Sequence, residues 1–309
     1  MPRKILRFMP SLLALAALCA APAAFAQQDY SKVQIKTEKL SATTYMLVGS
    51  GGNIGVSVGA DAAFIVDDEF APLSEKIKAA VAALSDKPIK FVLNTHFHGD
   101  HTGGNENFGK VDATIIAHEN VRKRMAAADA IEQADKSRAA APHKALPVLT
   151  FADDVTLQLN GDEVLFFHVP HGHTDGDAIV WFKNSNVIHL GDIFFNGLYP
   201  YIDGGSGGSV DGTVAAVDKV LALARDDTKL IPGHGPLASK ADLRAYRAML
   251  DTINQRVKAL VASGKTLEQT LAAKPSADFD AVWGNGFMRP DRFVESVWKM
   301  SQPTPKKAG

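Results

Sequence analysis

The sequence predicts an α+β fold in which a β sandwich carries its chemistry along one edge. Four separate strand-like runs, at 89–93, 164–169, 187–190 and 229–231, end at His or Asp among Gly-rich turns. Such an arrangement gathers side chains from distant parts of the chain at one sheet edge. Between the runs lie Ala-rich stretches whose apolar residues recur at helical spacing. No linker divides the chain, so one compact unit is expected.

The chain opens Met1-Pro2-Arg3-Lys4-Ile5-Leu6-Arg7, runs apolar from Phe8 to Ala20 and reaches Ala24-Phe25-Ala26. A basic start, a short apolar stretch and a small-x-small end form a Sec-type signal peptide over residues 1–26. Cleavage is expected after Ala26, giving a periplasmic or secreted product. The apolar run is too short and too Ala-rich for a membrane span. Leu18 is too bulky for a lipoprotein signal at Cys19, so no membrane anchor is expected after cleavage. Cys19 is the only cysteine, which leaves the mature chain, residues 27–309, without disulfides, thiolate ligands or a thiol nucleophile. Removing Arg3, Lys4 and Arg7 from the 33 Lys+Arg leaves 30 against 34 Asp+Glu, a net charge of about −4. That balance argues against nucleic acid, which needs a basic face against its phosphates. The expected partner is a small-molecule substrate, and nothing in the sequence specifies an oligomeric state.

In the mature chain, apolar and β-branched runs at 33–40, 43–48, 56–58 and 62–66 predict strands. Ser50-Gly51-Gly52-Asn53-Ile54-Gly55 reads as a hairpin turn and not a phosphate cradle, because a strand follows it where a cradle needs a helix. Residues 73–84 have helical spacing and lead into the strand at 89–93. A strand at 114–117, a helix over 120–136 and a Pro/Ala-containing loop at 139–147 follow. Strands at 155–159 and 164–169 flank the turn Asn160-Gly161-Asp162, and the second runs into Pro170-His171-Gly172-His173-Thr174-Asp175-Gly176-Asp177. Strands at 179–182 and 187–190 form a pair, the latter ending at Gly191-Asp192. Asp203 and the glycines after it read as a flap over the site. Next come a helix over 213–224 and a strand at 229–231 that ends at Pro232-Gly233-His234-Gly235-Pro236. The C-terminal helices span about 238–300: a long one over 238–263 stopped by Gly264, one opened by a capping box of Thr266 and Gln269, and a short one over 292–300.

The stretch Thr95-His96-Phe97-His98-Gly99-Asp100-His101 puts three imidazoles and a carboxylate within six positions at the end of a buried strand. Imidazole nitrogen and carboxylate oxygen are the ligands zinc takes in sites that keep an open position for water. Buried charge on this scale must be paired or metal-bound. The sequence therefore predicts a metal site.

His96-x-His98-x-Asp100-His101, then His173, Asp192 and His234, resemble in order and interval the motifs of the metallo-β-lactamase fold superfamily of zinc hydrolases, over residues 45–249. The resemblance implies a four-layer αβ/βα sandwich with two Zn2+ per chain at one sheet edge, iron or manganese being the alternatives. One metal would take His96, His98 and His173. The second would take Asp100, His101 and His234, with Asp192 bridging. Two divalent ions about 4 Å apart share a hydroxide that is available near neutral pH, because zinc lowers the pKa of its water to about 7. That hydroxide attacks a carbonyl carbon, and Asp100 is the candidate catalytic residue, orienting the nucleophile or protonating the leaving group.

Departures from the pattern bear on substrate. Many zinc β-lactamases have a Cys where this chain has Asp192, and several carry a Lys three residues later that docks the drug carboxylate. Here Phe195 stands in that place, and no Lys or Arg occurs from 184 to 218. Basic residues that glyoxalase II-like thioesterases turn toward glutathione are not identifiable. Phe194, Phe195, Tyr199 and Tyr201 are the substrate-pocket candidates, suited to a neutral or apolar carbonyl compound, with ordinary packing as the competing reading of each. His118, His143, His168 and His189 read as structural or surface histidines, while His171 and Asp177 are candidates for contact with the ligands. The expected function is an exported dinuclear zinc hydrolase of a β-lactam, lactone, ester or thioester, with β-lactam turnover weak or promiscuous. An iron-dependent persulfide dioxygenase, which shares much of this ligand set, is the alternative; a non-catalytic zinc protein fits less well, because structural zinc sites are closed.

Overall fold

A computed structural model describes residues 29–127, 129–131 and 136–302. The expected signal peptide, residues 1–26, lies outside the described residues. Among the described residues, no helix is long and apolar enough to cross a membrane.

In chain order come β1 (Lys36–Lys39), β2 (Thr44–Val48), β3 (Ile54–Val58), β4 (Ala63–Val66), α1 (Ser74–Ala82), β5 (Ile89–Asn94), the one-turn α2 (Gly99–Thr102), α3 (Asn105–Gly109), β6 (Thr114–His118) and α4 (Glu119–Ala126). A small hairpin of β7 (Asp129–Ile131) and β8 (Lys136–Arg138) follows, then β9 (Leu149–Phe151), β10 (Asp154–Leu159), β11 (Asp162–His168), β12 (Ala178–Phe182) and β13 (Val187–His189). The chain closes with α5 (Val210–Leu223), β14 (Lys229–Ile231), α6 (Lys240–Ala262), α7 (Leu267–Ala272), α8 (Ala277–Trp283) and α9 (Pro290–Met300). One sheet has the order β1-β2-β3-β4-β5-β6-β9 and the other β10-β11-β12-β13-β14.

Alternation along the strands builds the layers, because successive side chains leave a sheet on opposite faces. Phe64 and Val66 of β4 face inward and meet Phe166, Val180 and Phe182 of the other sheet in a shared core. The Phe64 and Phe182 rings stack across it at 5.9 Å. Ala63 and Ile65, one residue out of phase, face outward onto Leu73, Ile77 and Val81 of the α1 segment and Phe108 of α3. On the other side Phe167, Ile179 and Ile188 face outward onto Val217 of α5, Leu243, Tyr246 and Leu250 of α6, and Val297 of α9. The result is the αβ/βα sandwich.

β4 runs parallel to β5, and β13 parallel to β14. Their C-terminal ends therefore share an edge, and the turns after them carry the chemistry. Asn53 N–H donating to Gly233 O (2.8 Å) and Ala178 N–H donating to Thr95 O (2.8 Å) tie the two sheets together there. Ser50-Gly51-Gly52-Asn53 does connect two antiparallel strands, and both helices opening at Ser239 and Thr266 have reciprocal capping boxes.

Two local expectations are corrected. The helix expected over 120–136 stops at Ala126, and the β7–β8 hairpin follows; residues 128 and 132–135 of that span are outside the described ones. Val121 and Met125 are the buried residues of α4. The next positions on that stripe are Ala128 and Asp129, which offer little apolar surface to extend it. The histidine motif is also less of a loop than expected, since Gly99–Thr102 winds into a helical turn capped by His98.

Candidate metal centre

The strand ends deliver seven ligand-type side chains to one place. Their ligand atoms fall into two groups, His96, His98, His173 and Asp192 in one and Asp100, His101 and His234 in the other, the atoms of each group lying within 4.8 Å of one another. In the first group His98 Nδ1 is 3.1 Å from His96 Nε2 and 2.8 Å from His173 Nε2. In the second, His234 Nε2 is 3.2 Å and His101 Nε2 is 3.7 Å from Asp100 Oδ2. Asp192 lies between them with its oxygens divided. Oδ2 is 3.7 Å from His96 Nε2 and 3.4 Å from His173 Nε2, while Oδ1 is 3.1 Å from His101 Nε2 and 3.5 Å from His234 Nε2.

Outer hydrogen bonds fix which ring nitrogen of each imidazole faces inward, as they do around metal-binding histidines. His173 Nδ1–H donates to Tyr201 O at 2.7 Å, leaving Nε2 inward. His101 is held from behind by Asp67 Oδ2 at 2.8 Å from Nδ1. Thr95 Oγ1 lies 3.1 Å from His96 Nδ1 and donates to the same Asp67 Oδ2 at 2.7 Å. His98 is turned the other way: Asp203 Oδ2 sits 3.1 Å from its Nε2, so its Nδ1 faces inward.

Space at the site depends on two glycines. A Cβ on Gly52 would lie 2.2 Å from His101 Cε1, and one on Gly233 would lie 2.0 Å from Asp192 Oδ1. The hairpin turn at Gly52 thus closes against His101 because it carries no side chain.

The electrostatics are those of a site built for cations. Burial disfavours the charged forms of His101 and His234, yet Asp192 and Asp100 outweigh it. They hold His101 well above the usual histidine range and push His234 up to about 9. Burial works against the charged forms of Asp192 and Asp100 too, but His101 and His234 keep Asp192 far below the carboxylate range and Asp100 at about 2. Burial dominates at His96, driven well below its ordinary value, and at His173, lowered to about 4. His101 Nε2 and Asp192 Oδ1 are fully buried, approach to 3.1 Å and make no hydrogen bond. Native proteins seldom leave such atoms unsatisfied. Divalent ions between the groups would satisfy both, so the residues fit a metal centre.

The other candidates sort by what they touch. Phe194 and Tyr199 are fully buried. Phe194 packs on Tyr246 at 5.0 Å, while Tyr199 stacks on Phe293 at 4.7 Å and donates to Asp280 Oδ1 at 2.8 Å. Neither presents a surface to a substrate, because the loop after Asp192 turns them into the core against α6 and α9. Phe195 is equally buried and stacks beneath His234 at 5.0 Å, supporting the imidazole and leaving no face for a substrate. Tyr201 is half-buried, 6.0 Å from His98 and 5.8 Å from His173.

His171 is exposed and bonds Gly207 O. Asp177, pushed up to about 8 by burial, accepts from Thr174 N and Oγ1 and shapes the turn after His173. His189 is a buried structural residue between Asn53 O and Gly191 N. His118 and His168 stack face to face at 3.8 Å where β6 and β11 meet. Pattern reading missed Asp67, although it too is a strand-end carboxylate. It also missed Asp203 as a partner of His98.

The metallo-beta-lactamase superfamily profile matches residues 43–234, and the chain belongs to that family. It is 27% identical over 219 residues to a hydroxyacylglutathione hydrolase of Pelagibacter ubique, covering 69% of this chain and 79% of the relative. A second protein of that name, from Polaromonas sp., is 30% identical over 193 residues, 59% of this chain and 65% of the relative. Among solved structures, a metallo-beta-lactamase from Pontibacter korlensis superposes with a TM-score of 0.58 at 16% identity, covering 71% of this chain and 99% of that one. The DIM-1 metallo-beta-lactamase gives 0.57 at 18% identity, with 72% and 99% covered. These structural matches speak for the fold, and the family and its relatives make the protein a hydrolase.

Proposed function

We propose that this chain is an exported, dinuclear zinc hydrolase of carbonyl-centred bonds, with thioesters and esters ahead of lactones and β-lactams. The divided carboxylate of Asp192, one oxygen toward each histidine group, carries the two-metal reading. A thioester leads because relatives are named for acyl-glutathione hydrolysis, and because the turn after Asp192 carries no cation to dock a drug carboxylate. Export rests on the basic-apolar-small pattern of residues 1–26.

When bound, the metals would supply an activated water and an electrophilic partner for the carbonyl oxygen. The protein does the rest. Tyr201 O, Asp203, Asp67 and Thr95 lock the imidazoles, so little reorganisation accompanies binding. Asp100 is the catalytic residue: its side chain is 31% exposed, against 5% for Asp192, so of the two carboxylates it is the one open to the outside of the site. A pKa of about 2 makes it a carboxylate at neutral pH. It accepts a hydrogen bond from the incoming water, takes the proton released on attack, and passes it to the departing thiolate or alkoxide. No protein nucleophile is required.

The test is metal analysis of the purified protein together with hydrolysis rates on a thioester, a lactone and a β-lactam. Two zinc ions per chain and fastest turnover of the thioester are expected. One iron per chain, with oxygen consumption on a persulfide, would overturn the hydrolase reading in favour of a dioxygenase.

A further inference from the structure

The aromatic surface beside the metal groups comes from a part of the chain far from the motifs. Between α8 and α9, the segment Gly284-Asn285-Gly286-Phe287-Met288-Arg289 brings the Phe287 ring beside His234. Phe287 is 64% exposed, an unusual state for so large an apolar side chain. Its ring lies 6.1 Å from Phe195 and 6.3 Å from His234. The buried Phe195 is the floor under His234, and Phe287 continues that aromatic surface outward into solvent.

The loop holds Phe287 in place. Trp283 O accepts from Tyr199 N at 2.8 Å, and Arg289 Nη1 donates back to Gly284 O at 3.3 Å. Gly286 lies so close to Leu198 that a Cβ there would be 2.7 Å from Leu198 Cδ2. Leu198 is itself only half-buried. Among the described residues, Val111, Val148, Leu149 and Val282 are the other exposed large apolar side chains, and none of them has a ring to set against the histidines. An apolar surface fixed beside a hydrolytic centre, with no Lys or Arg in the turn after Asp192, selects for an apolar ligand group.

We propose that Phe287, with Leu198 at its base, forms the wall of a substrate subsite for an aryl or branched-alkyl group attached close to the scissile carbonyl. This rests on the hydrolase reading and adds the substrate class to it. An aromatic group on the substrate covers the exposed face of Phe287, and the aromatic contact adds to the apolar area removed from water. Phe287 is a specificity-determining residue; it moves no proton.

Two measurements on the metal-loaded full chain test it. Calorimetry compares acetate with phenylacetate as product ligands, and kinetics compare the acetyl and phenylacetyl thioesters of one thiol. In the wild type, the phenyl-bearing member of each pair is expected to be favoured roughly tenfold or more. Phe287→Ala should bring each preference to about twofold, and Phe287→Trp should restore it. Equal binding of the two acids by the wild type overturns the subsite. So does a preference that survives Phe287→Ala, or a Phe287→Ala variant whose only change is a lower oligomeric state in sedimentation, which would assign the ring to a second copy of the chain. If no thioester or other carbonyl compound is turned over, the hydrolase reading fails, and the calorimetric pair still decides the subsite.

Discussion

Asp203→Asn isolates the contribution of a single outer hydrogen bond to one of the two metal groups. Asp203 Oδ2 meets His98 Nε2 at 3.1 Å, with side-chain exposures of 13% and 19%. Burial works against this carboxylate, yet His98 and the Ser206 N–H hold it down to about 2, so it faces the imidazole fully charged. An asparagine can keep the bond from Ser206 N to Oδ1 (3.0 Å) that closes the turn. What is lost is the charge that fixes His98 with Nδ1 inward. Outer partners of this kind are worth about 10–100-fold in metal affinity, or roughly 1.4–2.8 kcal/mol. The amide retains a weaker contact, so the lower end is expected: about a tenfold higher Kd at the His96/His98/His173 group, with the Asp100/His101/His234 group unmoved. Competition with a graded chelator, followed by metal analysis, reads the two affinities separately. Affinity at the first group within twofold of wild type, or an equal loss at both groups, would refute the reasoning.

Other perturbations have equally definite outcomes. Gly52→Ala places a Cβ where His101 Cε1 stands 2.2 Å away; the imidazole must move, and metal analysis should find the second equivalent lost while the first is retained. Tyr199→Phe removes the hydroxyl bond to Asp280 and should cost about 1 kcal/mol, a melting temperature lower by roughly 2–4 °C. Its kcat/KM should match the wild type, because the ring is in the core. The stacked His118 and His168 are both lowered from 6.5, chiefly by burial with a smaller push from a neighbouring histidine, against backbone hydrogen bonds at Ala152 and Asp177 and the pull of Asp175, Glu119 and Asp153. Both are neutral above that value whether folded or not. As pH falls below it the unfolded chain takes up protons first, so stability declines until the folded pKa values are passed. The double variant His118→Gln/His168→Gln should flatten that decline in urea titrations at successive pH values; an unchanged slope would remove the pair from the account.

The metal groups were legible because each ligand stands at the end of an apolar run, and a strand end is a position that sequence pattern can locate. β14 at Lys229–Ile231 coincides with its expected bounds for the same reason. The aromatic residues after Asp192 were not legible. An apolar side chain gives the same signal whether it lines a pocket or fills a core, and the packing of α6 and α9 decided it for Phe194 and Tyr199. Phe287 gave no signal at all: it lies in a short turn more than fifty residues beyond His234, and only the tertiary fold brings the two together. Asp203 was visible as a loop residue, but its bond to His98 depends on where that loop folds back.

Each metal group takes its members from both sheets: His96 and His98 follow β5 in one, while His173 and Asp192 follow strands of the other. The second group likewise joins Asp100 and His101 to His234. Bound ions would therefore rivet the two halves of the sandwich along one edge, in a chain whose one cysteine, Cys19, has no second cysteine to pair with. Ligand held at a hundred times its Kd stabilises a fold by about 2.7 kcal/mol. Metal supply would then set the lifetime of the protein as well as its turnover, and a chelator would act on this molecule much as a reductant acts on a disulfide-bonded one.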